Sequence, residues 1–254
     1  MTKTAIITGA GSGIGLEAVR DLVEQGWTVH GVDIPGSMAN DVVESTSSNR
    51  FHPHFCDIRD AGAVAATMSA INLESGRVNA LIASAGVLRL GPLAEMSVED
   101  FDAVFGVNVR GLWVCVREAM PMIRRAADAG EVARIVLLSS VSALRPKIDS
   151  GAYSASKAAV SQLTRVLSVE CAKHGILVNA LAPGTVNTPM VNDLNEPGTR
   201  GNWRPSGPSP IGRIAQPTDI VRVMRFLLSE DAGYVTGTTI PVDGGTQAAF
   251  VPPE

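Results

Sequence analysis

Thr4-Ala5-Ile6-Ile7 running into Thr8-Gly9-Ala10-Gly11-Ser12-Gly13-Ile14-Gly15 is the stretch on which the fold turns. The first four residues form an apolar, β-branched run that reads as a buried strand. Leu16 to Gln25 carries helical periodicity and stops at Gly26. Strand, glycine turn and helix in this order make a phosphate cradle. Glycine lets the backbone approach a pyrophosphate because no Cβ intervenes. The N–H groups of the helix's first turn then face the anion, helped by the helix dipole. The competing reading, a plain flexible turn, does not account for these flanking elements. The spacing departs from Gly-x-Gly-x-x-Gly, since Ile14 stands where the third glycine would fall.

Working outward, a second strand, Trp27-Thr28-Val29-His30-Gly31-Val32, closes on Asp33. A carboxylate there accepts hydrogen bonds from adenosine ribose hydroxyls and repels a 2′-phosphate. No basic residue follows in Ile34-Pro35-Gly36-Ser37, and the glycine turn carries Ser12 rather than Lys or Arg. The expectation is NAD in preference to NADP.

The 254 residues suffice for one large α/β domain, taken as a single domain over 1–254. Apolar residues make up 45% and charged residues 18%, which argues against disorder. The net charge is −4, so an electrostatic nucleic-acid surface is not expected. Cys56, Cys115 and Cys171 are widely spaced and odd in number, as for reduced thiols in a cytoplasmic protein. No apolar run is long enough to span a bilayer, and no signal peptide is expected.

Strand-like and helix-like segments alternate, the pattern of a doubly wound parallel sheet, Rossmann-like, with helices on both faces in three layers. Gly36 to Asn49 is polar and is read as holding a short helix. Further strands are expected at Phe51–Cys56, Val78–Ala83, Ala133–Leu138, Leu177–Leu181 and Thr238–Val242. Helices are expected over Ala61–Leu73, Ala152–Lys173 and Pro217–Ser229, the last with Pro at its first turn. Ser97-Val98-Glu99-Asp100 resembles a capping box that opens one long helix through Asn108 toward Arg125. Pro183 to Ser209 is rich in Pro, Gly and Asn, and a substrate lid is expected over about residues 184–216.

Tyr153 and Lys157 are four residues apart, hence on one helix face. A phenol of pKa ~10 is a poor base at neutral pH. A nearby ammonium and a positive nicotinamide both favour the phenolate. Ser140 closes the preceding strand, where α/β sheets place ligand groups. Read alone, Tyr153 and Lys157 are ordinary helix residues; the neighbouring Ser140 shifts the balance.

With these residues the chain resembles the short-chain dehydrogenase/reductase family. The matching pieces are the glycine turn, Asp57-Ile58, Ala85-Gly86, Asn108-Val109-Arg110-Gly111, Ser139-Ser140, Tyr153-Ser-Ala-Ser-Lys157, Pro183-Gly184-Thr185-Val186-Asn187-Thr188 and Val242-Asp243-Gly244-Gly245. They span nearly the whole chain in order. The resemblance implies that Tyr153 exchanges a proton with the substrate oxygen and Ser140 hydrogen-bonds that oxygen. Lys157 would lower the Tyr153 pKa and bind the nicotinamide ribose, and Asn108 would hold a water linking Lys157 to solvent. Cofactor contacts are expected from Gly9, Ser12, Gly13, Ile14, Gly15, Asp33, Ile34, Asp57, Ile58, Ala85, Gly86, Tyr153, Lys157, Pro183, Gly184, Val186 and Thr188. The family often has Asn-Asn-Ala-Gly after the fourth strand; this chain has Ala83-Ser84-Ala85-Gly86, which leaves the asparagine brace of the central strands in doubt.

Arg89, Lys147 and Met190 are candidate substrate residues beside Ser140 and Tyr153. Solvated surface is the default reading of such charges. Gly86-Val87-Leu88-Arg89 and Pro146-Lys147-Ile148 nevertheless resemble dihydrodiol dehydrogenases in which a basic residue meets a ring carboxylate, with Arg145 alongside. Met190, Leu194 and Trp203 read equally as pocket lining or as packing of the lid. His52, His54 and Cys56 alternate on one strand face, but no fourth ligand is near and Pro53 marks an edge, so no metal is expected. His52 and His54 are read as surface or adenine-side residues, and His30 and His174 as structural. The expected activity is NAD-dependent interconversion of a secondary alcohol and a ketone, on a cyclic alcohol, dihydrodiol or hydroxysteroid-like ring. A 3-oxoacyl thioester reductase and a catalytically silent NAD-binding regulator are the alternatives. The resemblance further implies a homotetramer built through the two long helices and the C-terminal strand region, with Ala155, Ala158 and Ala159 permitting close helix contact.

Overall fold

The computed structural model describes residues 2–37, 49–192 and 209–249. β1 (Thr4–Thr8) is buried along its whole length and leads through the glycine turn into α1 (Gly13–Glu24). Ser12 at the helix N-cap has an extended backbone and makes no side-chain cap, so the first-turn N–H groups stay open. β2 (Thr28–Asp33), β3 (Phe51–Phe55), α2 (Ala61–Ser75) and β4 (Ala80–Ala83) follow. Asp60 caps α2 by accepting from the Gly62 and Ala63 amides at 2.8 and 3.1 Å. Next come α3 (Val98–Phe105), a π turn (Gly106–Gly111), α4 (Leu112–Asp128) and β5 (Arg134–Leu138). α5 (Gly151–Ala172), β6 (Leu177–Pro183), the single turn α6 (Pro189–Asn192), α7 (Pro217–Leu228) and β7 (Thr239–Val242) complete the order.

Among the described residues the sheet has seven parallel strands in the order β3-β2-β1-β4-β5-β6-β7. The reversal of direction at β1/β4 puts a crevice at the carboxyl ends of the strands. Alternate residues of each strand feed two cores. Ile6, Leu81 and Ile135 pack with α2, α4 and α5 on one face. Ile7, Ile82 and Val136 pack with α1 and α7 on the other. At ~0.025 kcal/mol per Å² these fully buried aliphatics form the main favourable term in folding.

The alternation of elements follows the sequence closely, with two differences, both along the segment from Ser97 to Arg125. The expected continuous helix from Ser97 to Arg125 is two helices split by the π turn. Ser97 Oγ does accept from the Asp100 amide at 3.1 Å, but the Asp100 carboxylate pairs with Arg89 at 3.4 Å. The proposed helix within 36–49 and the lid residues Leu194 and Trp203 lie outside the described residues. Pro53 stands in β3, the edge strand, where its missing N–H costs no ladder bond on the open side.

Candidate active site

A cleft of about 410 Å³ opens at the carboxyl ends of β1, β2, β4, β5 and β6. At one end Gly9, with φ +71°, approaches the chain after β4 so closely that a Cβ would stand 2.8 Å from the Ala85 backbone. Only glycine takes that conformation and that approach without strain. Ser12, Gly13 and Ile14 line the cleft above the α1 N-terminus. Gly15 does not line it; a side chain there would collide with the Gly9 carbonyl, so its role is to close the turn. Asp33 Oδ2 accepts from the Gly11 amide and Oδ1 from the Ile34 amide, both at 2.8 Å. Open amides, a bare glycine backbone and an oriented carboxylate fit a dinucleotide's pyrophosphate and ribose.

Further along, Asp57, Ile58, Ala85, Gly86, Pro183, Gly184, Val186, Thr188, Arg89 and Met190 all line the same cleft. Arg59 does so too and was not anticipated. Its guanidinium bonds the Asp57 carboxylate at 2.7–3.1 Å and holds that carboxyl below its usual range. The missing asparagine brace is partly replaced by Thr8, whose Oγ1 accepts from the Ala85 amide at 3.3 Å.

At the other end stand Ser140, Tyr153 and Lys157. Ser140 lies two residues beyond β5 and caps a short 3₁₀ turn, its Oγ accepting from the Ser142 amide at 3.1 Å. Lys157 is buried and its Nζ donates to the Leu138 carbonyl at 2.7 Å, which aims the ammonium from α5 back under the sheet. Nζ lies 5.7 Å from the Tyr153 ring centroid. Burial pulls the Lys157 ammonium down to about 8. Burial also raises the Tyr153 phenol, and a hydrogen bond with Ser140 offsets only part of that rise. The expected depression of the phenol by Lys157 is therefore not produced by the chain's own groups: desolvation outweighs them.

Residues 9–247 match the family described as Enoyl-(Acyl carrier protein) reductase. Oxidoreductase UcpA of Salmonella typhimurium is 33% identical over 96% of this chain and 94% of that protein. Cyclopentanol dehydrogenase of Comamonas sp. is 31% identical, with 97% of each covered. The crystal structure of a 3-ketoacyl-(acyl-carrier-protein) reductase from Brucella melitensis, complexed with NADH, superposes with a TM-score of 0.87 at 31% identity, covering 96% of this chain and 98% of that one. This chain belongs to the short-chain dehydrogenase/reductase family. It is therefore an oxidoreductase with a Rossmann-like fold.

Asn108 is fully buried and does not line the cleft of this short-chain dehydrogenase. The π turn directs it inward. Its Oδ1 accepts from the Val87 amide at 2.8 Å, and its Nδ2 donates to the Val87 carbonyl and to Ser156 Oγ, each at 3.0 Å. It clasps the chain after β4 to α5 beside Gly86. Its partner Ser156 lies within the Tyr153–Lys157 stretch, one residue before the lysine.

Lys147 is the exception among the candidate substrate residues, since it does not line the cleft. Its neighbour Arg145 explains the departure. The Arg145 Nη1 donates to the Thr246 and Ala249 carbonyls at 3.0 and 2.8 Å, so the loop turns toward the C-terminal segment. Lys147 sits beside that guanidinium, and burial, with Arg145's charge, pulls its ammonium down to about 8. His52 and His54 are not on the adenine side of the cleft.

Proposed function

We propose that this chain interconverts a secondary alcohol and a ketone with NAD(H) as cofactor, taking a cyclic alcohol or dihydrodiol as substrate. One observation carries the reading: Ser140, Tyr153 and Lys157 face a cleft whose far end holds a glycine turn and an aspartate. Bound NAD⁺ would supply the hydride acceptor and a positive charge that favours the phenolate. Hydride loss from carbon must be balanced by proton loss from oxygen, and Tyr153 is placed to take that proton. Ser140 hydrogen-bonds the same oxygen and holds it in line. Lys157, with Asp33, Gly13 and Thr188, holds the cofactor. Asn108 acts as a positioning residue, keeping Val87 and Gly86 against α5.

The apolar residues Val87, Met190 and Val191 at the cleft suit a carbocyclic substrate. Likeness to cyclopentanol dehydrogenase points the same way. The 3-oxoacyl thioester reading keeps support from the Brucella melitensis reductase, and that protein's NADH complex means Asp33 does not separate the two. A net charge of −4 weakly repels an acidic acyl carrier, which favours the small alcohol. A screen of cyclic alcohols and diols with NAD⁺, read by absorbance of the reduced cofactor, tests the proposal. Turnover restricted to 3-oxoacyl thioesters replaces it with the alternative, and cofactor binding with no turnover on either class leaves the silent regulator.

Assembly belongs to the same reading. Trp113 on α4 and Val166 and Val169 on α5 are exposed apolar side chains, and Ala155 and Ala158 are exposed beside them. These faces support a homotetramer through the two long helices, and a monomer by light scattering would refute it. The three cysteines are free and buried, which supports a reducing, cytoplasmic setting. Among the described residues no helix is long and apolar enough to cross a membrane.

A further inference from the structure

On the sheet face away from α1, β2 and β3 set His30 opposite His52 and Val32 opposite His54. The last turn of α2 covers these rings with Glu74 and Ser75. His30, His52, His54, Glu74 and Ser75 do not line the cleft, so the cluster lies outside the dehydrogenase site. The geometry points to a binding site here for one transition-metal dication of the Zn²⁺ type, held by His30, His52 and Glu74.

The separations carry the argument. Metal–ligand bonds of about 2.0–2.1 Å at the centre of a tetrahedron require ligand atoms about 3.3 Å apart. His52 Nδ1 lies 3.3 Å from Glu74 Oε2, and His30 Nδ1 lies 3.8 Å from the same oxygen. One ligand atom from each of the three falls within 4.8 Å of the others. His54 Nε2, 3.0 Å from His30 Nδ1, is the nearest candidate for the fourth corner. A cation would replace that one neutral hydrogen bond with coordination.

The surroundings suit a metal as well. Ser75 Oγ lies 2.8 Å from His30 Nε2. When Ser75 Oγ accepts from that nitrogen, the Nδ1 lone pair faces the cluster, the outer-shell arrangement found around ligating histidines. Two imidazoles and a carboxylate match zinc, cobalt or nickel rather than calcium or magnesium. An entry path exists, because His52 and Glu74 are 40% and 45% exposed while His30 is fully buried. The ion would tie the end of α2 to two strands of the sheet edge.

The test uses the full chain without a histidine tag, stripped with chelator and titrated calorimetrically with Zn²⁺, then with Co²⁺ for its visible absorption bands. One ion per chain is expected, with tetrahedral Co²⁺ bands and a thermal midpoint raised by Zn²⁺. H52Q and E74Q should each weaken binding by about tenfold or more, since loss of even an outer-shell partner has that effect. H174Q, altering the only histidine outside the cluster, should bind as the parent does. Retained NADH binding shows that each variant is folded. Absence of stoichiometric binding overturns the proposal. So does binding that H52Q and E74Q leave intact, or that H174Q removes, because the ion is then held elsewhere.

Discussion

The cleft and the histidine cluster sit on one sheet and handle buried polar groups in opposite ways. At the cleft, Lys157 is committed to a backbone carbonyl, and behind it Asn108 to the amide and carbonyl of Val87. Burial works against both the Lys157 ammonium and the Tyr153 phenolate, so the chain by itself holds the pair in a state that a ligand must change. Under the last turn of α2, three imidazoles and a carboxylate bond chiefly one another, with one side open to solvent. The first arrangement suits chemistry, because a buried group with a shifted pKa stores free energy that substrate and cofactor release. The second suits holding the sheet edge together, because its groups are satisfied without passing a proton to anything else.

The comparison is broken most directly at Tyr153. Tyr153→Phe should cut turnover by about a thousandfold or more, with NADH affinity changed by a few-fold only. Near-normal turnover measured by steady-state kinetics would remove Tyr153 as the proton carrier. Lys157→Met should also abolish turnover, yet it should stabilise the fold at neutral pH by on the order of 3 kcal/mol, the price of burying the ammonium. The sign follows from the folded value of about 8, which lies below that of the unfolded chain. The unfolded chain binds more protons between pH 8 and about 10.4, so stability from this group rises with pH through that window. The gain of Lys157→Met in denaturant melts should accordingly be full below pH 8 and fade toward pH 10.

Two smaller effects sharpen the comparison. Asp33→Ala should lower NADH affinity by about tenfold to a hundredfold through lost charged hydrogen bonds, and should narrow the preference over NADPH. Fluorescence titration with both cofactors checks this. In the cluster the pattern should invert. His30→Leu should cost about 1–3 kcal/mol of stability, from hydrogen-bond partners left unpaired, while kcat/KM stays within about twofold. A loss of activity larger than that would show that the two regions are coupled.

The ordered elements were legible because they are local. A β-branched run, a glycine turn and a 3.6-residue repeat announce themselves within a dozen residues; Asp33 and Ser140 sit at or just past strand ends, and Tyr153 and Lys157 in the first two turns of a helix. The break at Gly106–Gly111 was not legible, since Gly-Val-Asn-Val-Arg-Gly has the propensities of a weak helix whether it forms an α or a π turn. What sets its geometry is close packing against Ile58, where a Cβ on Gly111 would stand 2.9 Å from the Ile58 carbonyl. Lys147 was misplaced for a related reason. Its charge was visible, but the commitment of Arg145 to carbonyls a hundred residues away was not.

By itself, the order of residues determined the parallel doubly wound sheet, the phosphate-binding turn, the aspartate that follows it and the serine, tyrosine and lysine of the cleft. Each depends on backbone preferences and periodicity, which act over neighbouring residues. The tertiary structure alone decided which way Asn108 faces, that Arg145 serves the C-terminal segment, and that His30 and His52 meet Glu74. The last of these depends on strand register and on where α2 ends over the sheet, and a slip of one residue in the β2–β3 pairing would have turned one of the two histidines to the opposite face.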